Sequence, residues 1–387
     1  MKNKIIAEIE NRLDELFDIG VWLYDNPELG EKEFRASALL AEYLEKNGFD
    51  VERGVYGLET AFRARLGDGD AEPHIVLFCE YDALPKIGHG CGHNLIATMS
   101  LGAAMGLKSV LKDTGGRISV FGTPAEETSG TKGVLTNKGA FDGVTAAMMV
   151  HPNAVTEESG ASLAMHALKF EFFGKAAHAA AKPEKGINAL DALILLFNGI
   201  NALRQHVPSD VRIHGIITDG GVAPNIVPDY AAAKFYIRSK DKGVLEAVTA
   251  KVRRCAEGAA SMTGASCDVS FFENTYDNLR TNGTLSDIFT ANLMALGEKD
   301  IFPASDGVGS IDIGNVSYAA PAIHPWIGIG DSELVIHTKE FADATVTDKG
   351  KEALRKGACA LALTAYDVIT SEENRRKIKE EFDIGSV

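Results

Sequence analysis

The run Gly88-His-Gly-Cys-Gly-His-Asn94 places one thiol and two imidazoles within five residues. Cys91 and His93, separated only by Gly92, can both point at one ion, and a helix beginning near Asn94 would favour the thiolate. A glycine-rich turn with incidental histidines is the alternative, because short motifs often match by chance. Gly122-Thr-Pro-Ala-Glu-Glu127 sets two adjacent carboxylates directly behind an apolar run. On a surface loop such a pair is commonly just solvated. At a strand end it can divide labour, Glu127 giving an oxygen to a cation and Glu126 acting as a base toward activated water. His151 follows Ala146-Ala-Met-Met-Val150, and His337 follows Val335-Ile336. A lone histidine of this type is more often a hydrogen-bonded core residue than a ligand. Four separate positions with the same form point to ligands gathered at the carboxyl edge of one sheet, where open α/β sheets bind their ligands.

The elements that must position these residues are readable from periodicity. Ile5 to Tyr24 and Glu31 to Asn47 carry apolar residues at helical spacing, with Pro27 and Gly30 between them. His74 to Cys79, Arg117 to Gly122 and Ala146 to Val150 read as buried strands, and Leu95 to Lys112 as a crossover helix whose small residues allow close packing on a sheet. After His166 the rhythm changes. Strand, helix, strand, strand, helix and strand are predicted over Leu168–Phe173, Gly186–His206, Val211–Thr218, Tyr230–Arg238, Lys242–Thr263 and Cys267–Phe272, the βαββαβ order of a ferredoxin-like α+β domain. From roughly Asn278 the first style resumes and closes with a helix over Thr345–Thr370. The organisation expected is an α/β domain over 1–166 and 278–387, interrupted by an inserted domain over 167–277.

A chain of 387 residues has room for two or three domains of roughly 150 residues each. Apolar residues at 45% and charged residues at 24% exclude a disordered or collagen-like polypeptide. With 39 Lys plus Arg against 54 Asp plus Glu, the charge of -15 repels phosphate backbones and anionic lipid, so neither nucleic acid nor membrane is an expected partner. Met1 to Leu16 has no signal-peptide form, and no run of about 18 apolar residues predicts a spanning helix. Five scattered cysteines form no disulfide framework, and a cytoplasmic address is expected.

Glu80-Tyr-Asp-Ala-Leu-Pro85, the Gly88–Asn94 run, Gly122–Glu127 and Val150-His-Pro152 together resemble the M20 metallopeptidase and amidohydrolase family. Within it the resemblance is to the branch of aminobenzoyl-glutamate hydrolases, indole-acetyl-amino-acid hydrolases, aminoacylases and dipeptidases. It covers nearly the whole chain, including Lys175-Ala-Ala-His-Ala179, Gly220–Asn225 and His337–Phe341. It implies a zinc-exopeptidase-like three-layer α/β catalytic domain with the ferredoxin-like insert as lid and dimerisation module. It further implies two divalent ions held by Cys91, His93, Glu127, His151 and His337, with Glu126 as general base and Asp82 orienting a ligand from behind. His178 matches a residue that stabilises the oxyanion across a dimer, and Asn225 and Arg238 match receivers of the substrate carboxylate. Asn94 departs from the Asp common in the branch and bears on metal affinity.

The implied reaction is hydrolysis of an amide in a small N-acyl amino acid or dipeptide by a homodimer. A thiolate among nitrogen and oxygen ligands suits zinc, with manganese or cobalt as alternatives. The competing readings are a cysteine hydrolase using Cys91 and His93, which leaves the carboxylates unused, and a non-catalytic binding protein, for which Glu126 has no purpose.

Overall fold

Residues 1–304, 307 and 309–385 are described in a computed structural model of the chain. Met1–Ala161, Leu279–Gly307 and Asp312–Val387 make up one unit, and Ser162–Asn278 with Val308–Ile311 a second. The first unit opens with α1 (Lys2–Asn11) and α2 (Leu13–Asp25), where the periodicity predicts a single helix. The break falls at Arg12, which leaves helical geometry (φ −107°, ψ 1°) while its guanidinium bonds Glu8 at 2.6 Å and Asn47 at 3.1 Å. Then come α3 (Phe34–Lys46), β1 (Asp50–Arg53), β2 (Phe62–Leu66), β3 (His74–Cys79) and α4 (His93–Thr114). They are followed by β4 (Arg117–Gly122), α5 (Thr131–Asn137), β5 (Ala146–Met148), β6 (His151–Asn153) and β7 (Thr156–Glu157).

The second unit carries β8 (Ala164–Phe173), α6 (Ala189–Leu203), β9 (Arg212–Asp219), β10 (Tyr230–Ser239), α7 (Lys242–Thr263) and β11 (Ser266–Phe271). Its sheet runs β11-β8-β10-β9 with every pairing antiparallel, the expected ferredoxin-like arrangement. Alternate residues of β10, among them Ala231, Ala233, Phe235 and Ile237, enter a core shared with Leu193, Leu196, Val248 and Val252 of the two helices. The α6 helix starts at Ala189 because Asn188 accepts from the Leu190 and Asp191 amides, and α7 is bounded by the Asp241 cap and by Gly264 at φ +77°.

The first unit resumes with α8 (Gly283–Ala295), β12 (Ile301–Phe302), α9 (Ile313–Val316), β13 (Ala322–Ile323), β14 (Trp326–Gly328), α10 (Lys339–Ala344), α11 (Asp348–Thr370) and α12 (Glu372–Gly385). Thr347 caps α11 through Gly350 N, so the closing helix starts later than Thr345, and α12 extends beyond it. The main sheet has the order β1-β2-β4-β3-β5-β13, with β4, β3, β5 and β13 parallel. The third apolar run ends at Met148, and His151 enters a second sheet, β12-β7-β14-β6.

Helix α4 is long and apolar enough to cross a membrane, contrary to the expectation from the sequence, but it is buried continuously from His93 to Leu107. Its glycines serve contacts with helices rather than with the sheet. A Cβ at Gly102 would stand 2.9 Å from Ala358 of α11, and one at Gly106 2.8 Å from Ile9 of α1.

Candidate metal centre

Parallel strands deliver their following loops to one edge, and here β3, β4 and β5 deliver Asp82, Cys91, His93, Glu126, Glu127 and His151, while His337 comes from elsewhere in the unit. After β3 the chain passes Asp82 and turns through Gly92, at φ +80°, into α4. A Cβ at Gly92 would meet Pro152 at 2.3 Å, so only glycine admits this turn between Cys91 and His93. After β4, Ala125 holds φ +59° and its carbonyl accepts from Ser129 and Gly130, closing a tight loop around Glu126 and Glu127. His337 departs from the strand-end pattern. Val335 and Ile336 form no strand, and His337 sits in a turn at φ +69°, tied to Gly90 by its amide at 2.8 Å.

Three overlapping donor groups result among the described residues, and two of them share a thiol. The donor atoms of Cys91, His93 and His151 lie within 4.8 Å of one another, as do those of Cys91, Glu127 and His337; His93, Glu126 and Glu127 form a third, overlapping group. Cys91 Sγ is 3.4 Å from His151 Nε2, and His337 Nε2 is 3.1 Å from Glu127 Oε1.

The imidazoles are set for ligation. His93 Nδ1 lies 3.0 Å from both the carboxylate and the carbonyl of Asp82, so it carries the ring proton, while Nε2 is buried without a hydrogen-bond partner among the described residues. His151 Nδ1 donates to the Pro152 carbonyl at 2.8 Å, which likewise leaves Nε2 as a lone pair beside Cys91. Soft thiol, imidazole and carboxylate donors around the orphaned Nε2 of His93 fit one or two divalent cations.

Electrostatics agree with that need. Burial, then the charges of Glu80, Glu127 and Asp312, push Glu126 well above the ordinary carboxylate range. Burial opposes ionisation of Glu127 too, but its bond to His337, with His93 and Cys91 nearby, brings it below that range. Burial drives the Cys91 thiol well up, against the expectation that the α4 terminus favours the thiolate, so a cation is needed to ionise it.

Several buried partners carry no motif of their own. Lys132 Nζ bridges Glu80 at 2.5 Å and Asp312 at 2.6 Å, and Glu80 Oε2 stands 3.5 Å from His93 Nε2. His324 lies with its ring 5.3 Å from His151, and Trp326 packs on His151 at 4.6 Å. A signal for His324 exists, since Ala322-Ile-His-Pro325 repeats the form of Met149-Val-His-Pro152. Asn94 faces elsewhere: its amide donates to Gly20 O and Thr345 Oγ1, joining α4 to α2 and to the residue closing α10.

His178, Asn225 and Arg238 all belong to the second unit. Ala179 N donates to Asn225 O at 3.0 Å, so His178 and Asn225 sit on neighbouring segments, both exposed. His178 Nδ1 accepts from the Ala180 and Ala181 amides, which places the ring proton on Nε2. Arg238, on β10, donates to Ser310 Oγ at 3.1 Å.

Comparison with known proteins agrees. A family model described as the peptidase dimerisation domain of M20 proteins matches residues 163–261. A Xaa-Arg dipeptidase of Mus musculus is 35% identical, covering 99% of this chain and 92% of that protein. One of the chains of the p-aminobenzoyl-glutamate hydrolase of Escherichia coli K12 is 36% identical over 66% of this chain and 57% of its own length. Among solved structures, a dinuclear metal-binding M20 peptidase of Bacillus subtilis superposes with a TM-score of 0.65 at 20% identity, covering 92% of this chain and 99% of that one, and shares the fold. With near-complete coverage at 35% identity, the chain belongs to the M20 peptidase family of metal-dependent hydrolases.

Proposed function

We propose that the protein hydrolyses the amide bond of a dipeptide or N-acyl amino acid with two divalent ions, one held by Cys91, His93 and His151 and the other by Cys91, Glu127 and His337. The observation that carries this is the pair of donor groups sharing Cys91 beside a carboxyl, Glu126, that burial predisposes to hold a proton. Bound there, divalent ions lower the pKa of water toward neutrality and polarise a carbonyl.

Glu126 takes the proton of the attacking water and hands it to the leaving nitrogen, a role that suits a raised pKa. Asp82 fixes the tautomer of His93. In the second unit, His178 donates from Nε2 to the oxyanion, and Arg238 with Asn225 binds the free carboxylate. Zinc is the preferred ion on donor chemistry, with manganese or cobalt next. The matched dimerisation segment and the exposed edge strand β9, with Ile216 and Ile217 open, support a homodimer. The five unpaired cysteines fit a reducing cytoplasm.

Xaa-Arg dipeptides, p-aminobenzoyl-glutamate and N-acyl amino acids are the first substrates to assay. Chelation should abolish turnover, and zinc, manganese or cobalt should restore it. Turnover by protein shown by elemental analysis to be metal-free would overturn the reading and favour Cys91 as nucleophile.

A further inference from the structure

The buried acid Glu33 lies far along the sequence from every motif residue, yet its contacts lead to the loop that carries Glu126. Glu33 occupies the N-cap position of α3, and its carbonyl accepts from Ser37 N, but its side chain does not cap the helix. Glu28 does that instead, accepting from the Arg35 and Ala36 amides at 2.9 and 2.8 Å. Glu33, fully buried, is thereby free to reach outward, one oxygen accepting from Ala125 N at 2.8 Å and the other from Thr60 Oγ1 at 3.0 Å. Thr60 is braced in turn, its carbonyl accepting from the buried Tyr81 hydroxyl at 2.6 Å.

Ala125 is the residue immediately before Glu126, and it holds a left-handed backbone conformation that is unfavourable for a residue with a Cβ. Two residues on, Glu127 N donates to Asp82 Oδ2 at 3.0 Å. The amides on either side of Glu126 are therefore both tethered to buried carboxylates. One comes from the loop after β3, the other from the turn between α2 and α3. The same turn closes on the loop through Gly30, where a Cβ would stand 2.3 Å from Thr128 Oγ1 and 3.1 Å from Ala125 Cβ.

We infer that Glu33 is a positioning residue for proton transfer: by accepting from Ala125 it holds the strained turn that aims Glu126. The inference rests on the role proposed for Glu126. A carboxylate that must lie within hydrogen-bond reach of both water and leaving nitrogen tolerates little displacement. An acceptor for Ala125 N is what the turn requires, and Gln supplies one as well as Glu does, since Thr60 can rotate its hydroxyl to accept from the new amide.

The test uses the full-length, metal-loaded protein. Glu33→Ala should lower kcat by about 10- to 100-fold, the usual range for a supporting partner of an active-site group, with KM and metal content per chain little changed. Amide hydrogen exchange over residues 123–130 should quicken in the same variant, and Glu33→Gln should restore both properties. If Glu33→Ala does not fold, Gly30→Ala displaces the same turn with Glu33 intact and should give the same loss confined to kcat. An unchanged kcat per metal-loaded chain, unchanged exchange over 123–130, or a Gln variant as impaired as Ala would overturn the inference. A wild-type protein inert toward every substrate would instead defeat the hydrolase reading, and the exchange comparison would still decide whether Glu33 holds the turn.

Discussion

Two buried histidines flank β3, His74 at its amino end and His93 beyond its carboxyl end, with opposite results, although the pKa values of His89, His151 and His324 near the carboxyl end are lowered by burial as that of His74 is. His74, at the amino end of β3, sets its ring against the Ser119 hydroxyl at 2.9 Å, and burial, reinforced by Arg117 and Arg63, lowers its pKa to about 4. Beyond the carboxyl end burial presses on His93 in the same direction, but the Asp82 carboxylate, charged and hydrogen-bonded to the ring, reverses it and holds His93 well above its ordinary value. Imidazole and burial are common to both, so the difference lies in the acid buried alongside. The carboxyl end gathers Glu33, Glu80, Asp82 and Asp312, all buried, with Glu126 and Glu127, around Lys132, the single fully buried Lys or Arg among the described residues. Ionising that many carboxyls together in a protein interior is unfavourable, so burial raises the pKa of Glu33, Glu80 and Glu126, and bound divalent cations would offset the crowding.

The comparison breaks most visibly at Glu126. Glu126→Gln should lower kcat by about 10²- to 10⁴-fold while the metal stays bound, because the proton relay goes and the ligand set does not. It should leave the folded protein at least as stable, since one repelled carboxylate disappears from a surplus. Elemental analysis beside kinetics checks both halves. Metal loss equal to that of Glu127→Ala would mean that Glu126 is a ligand and that the division of labour is misassigned.

Lys132 offers the next largest effect. With Glu80 and Asp312 both within 2.6 Å of its Nζ, Lys132→Met should destabilise by about 3–5 kcal/mol in chemical denaturation, the range for stranding buried charge. Adding Glu80→Gln and Asp312→Asn should recover much of the loss, because nothing charged is then left without a partner. A triple variant no better than Lys132→Met would show that the lysine acts through packing rather than charge.

How much is legible in the sequence follows from how far each signal reaches. The second unit is readable nearly end to end because its elements carry local signals; the helix expected over Lys242–Thr263 has those bounds, and the Asp241 cap and Gly264 set them. Cys91, His93, Glu126, Glu127 and His151 stand out because each follows an apolar run at a strand end. His337 draws attention by a false analogy, since the apolar pair before it forms no strand, and the fold brings it to Glu127 by a turn instead. Glu33, Lys132 and Asp312 are invisible. Glu33 falls within the helix predicted over Glu31–Asn47 with nothing to mark it, Lys132 and Asp312 belong to no motif, and the bonded partners lie from 52 to 180 residues away along the chain for Lys132 and up to 92 for Glu33. No local periodicity reports a bond of that span.

The smallest expected effect belongs to the quiet end of the sheet. His74 is neutral in the folded chain down to about pH 4, whereas in the unfolded chain it takes up a proton near its ordinary 6.5. Between those values the unfolded state binds more protons, so stability is complete above about pH 6.5 and declines as the pH falls toward 4. The decline attributable to this one residue is about 2–3 kcal/mol across the window. His74→Gln keeps a partner for Ser119 and cannot titrate, so its stability relative to wild type should improve steadily on acidification. Metal loss at low pH weakens both proteins alike and cancels in the difference between them. Parallel stability profiles for the two proteins from pH 7 to 4.5 would mean that His74 is already solvated or charged in the folded chain, and the contrast between the two ends of the sheet would then rest on the carboxyl end alone.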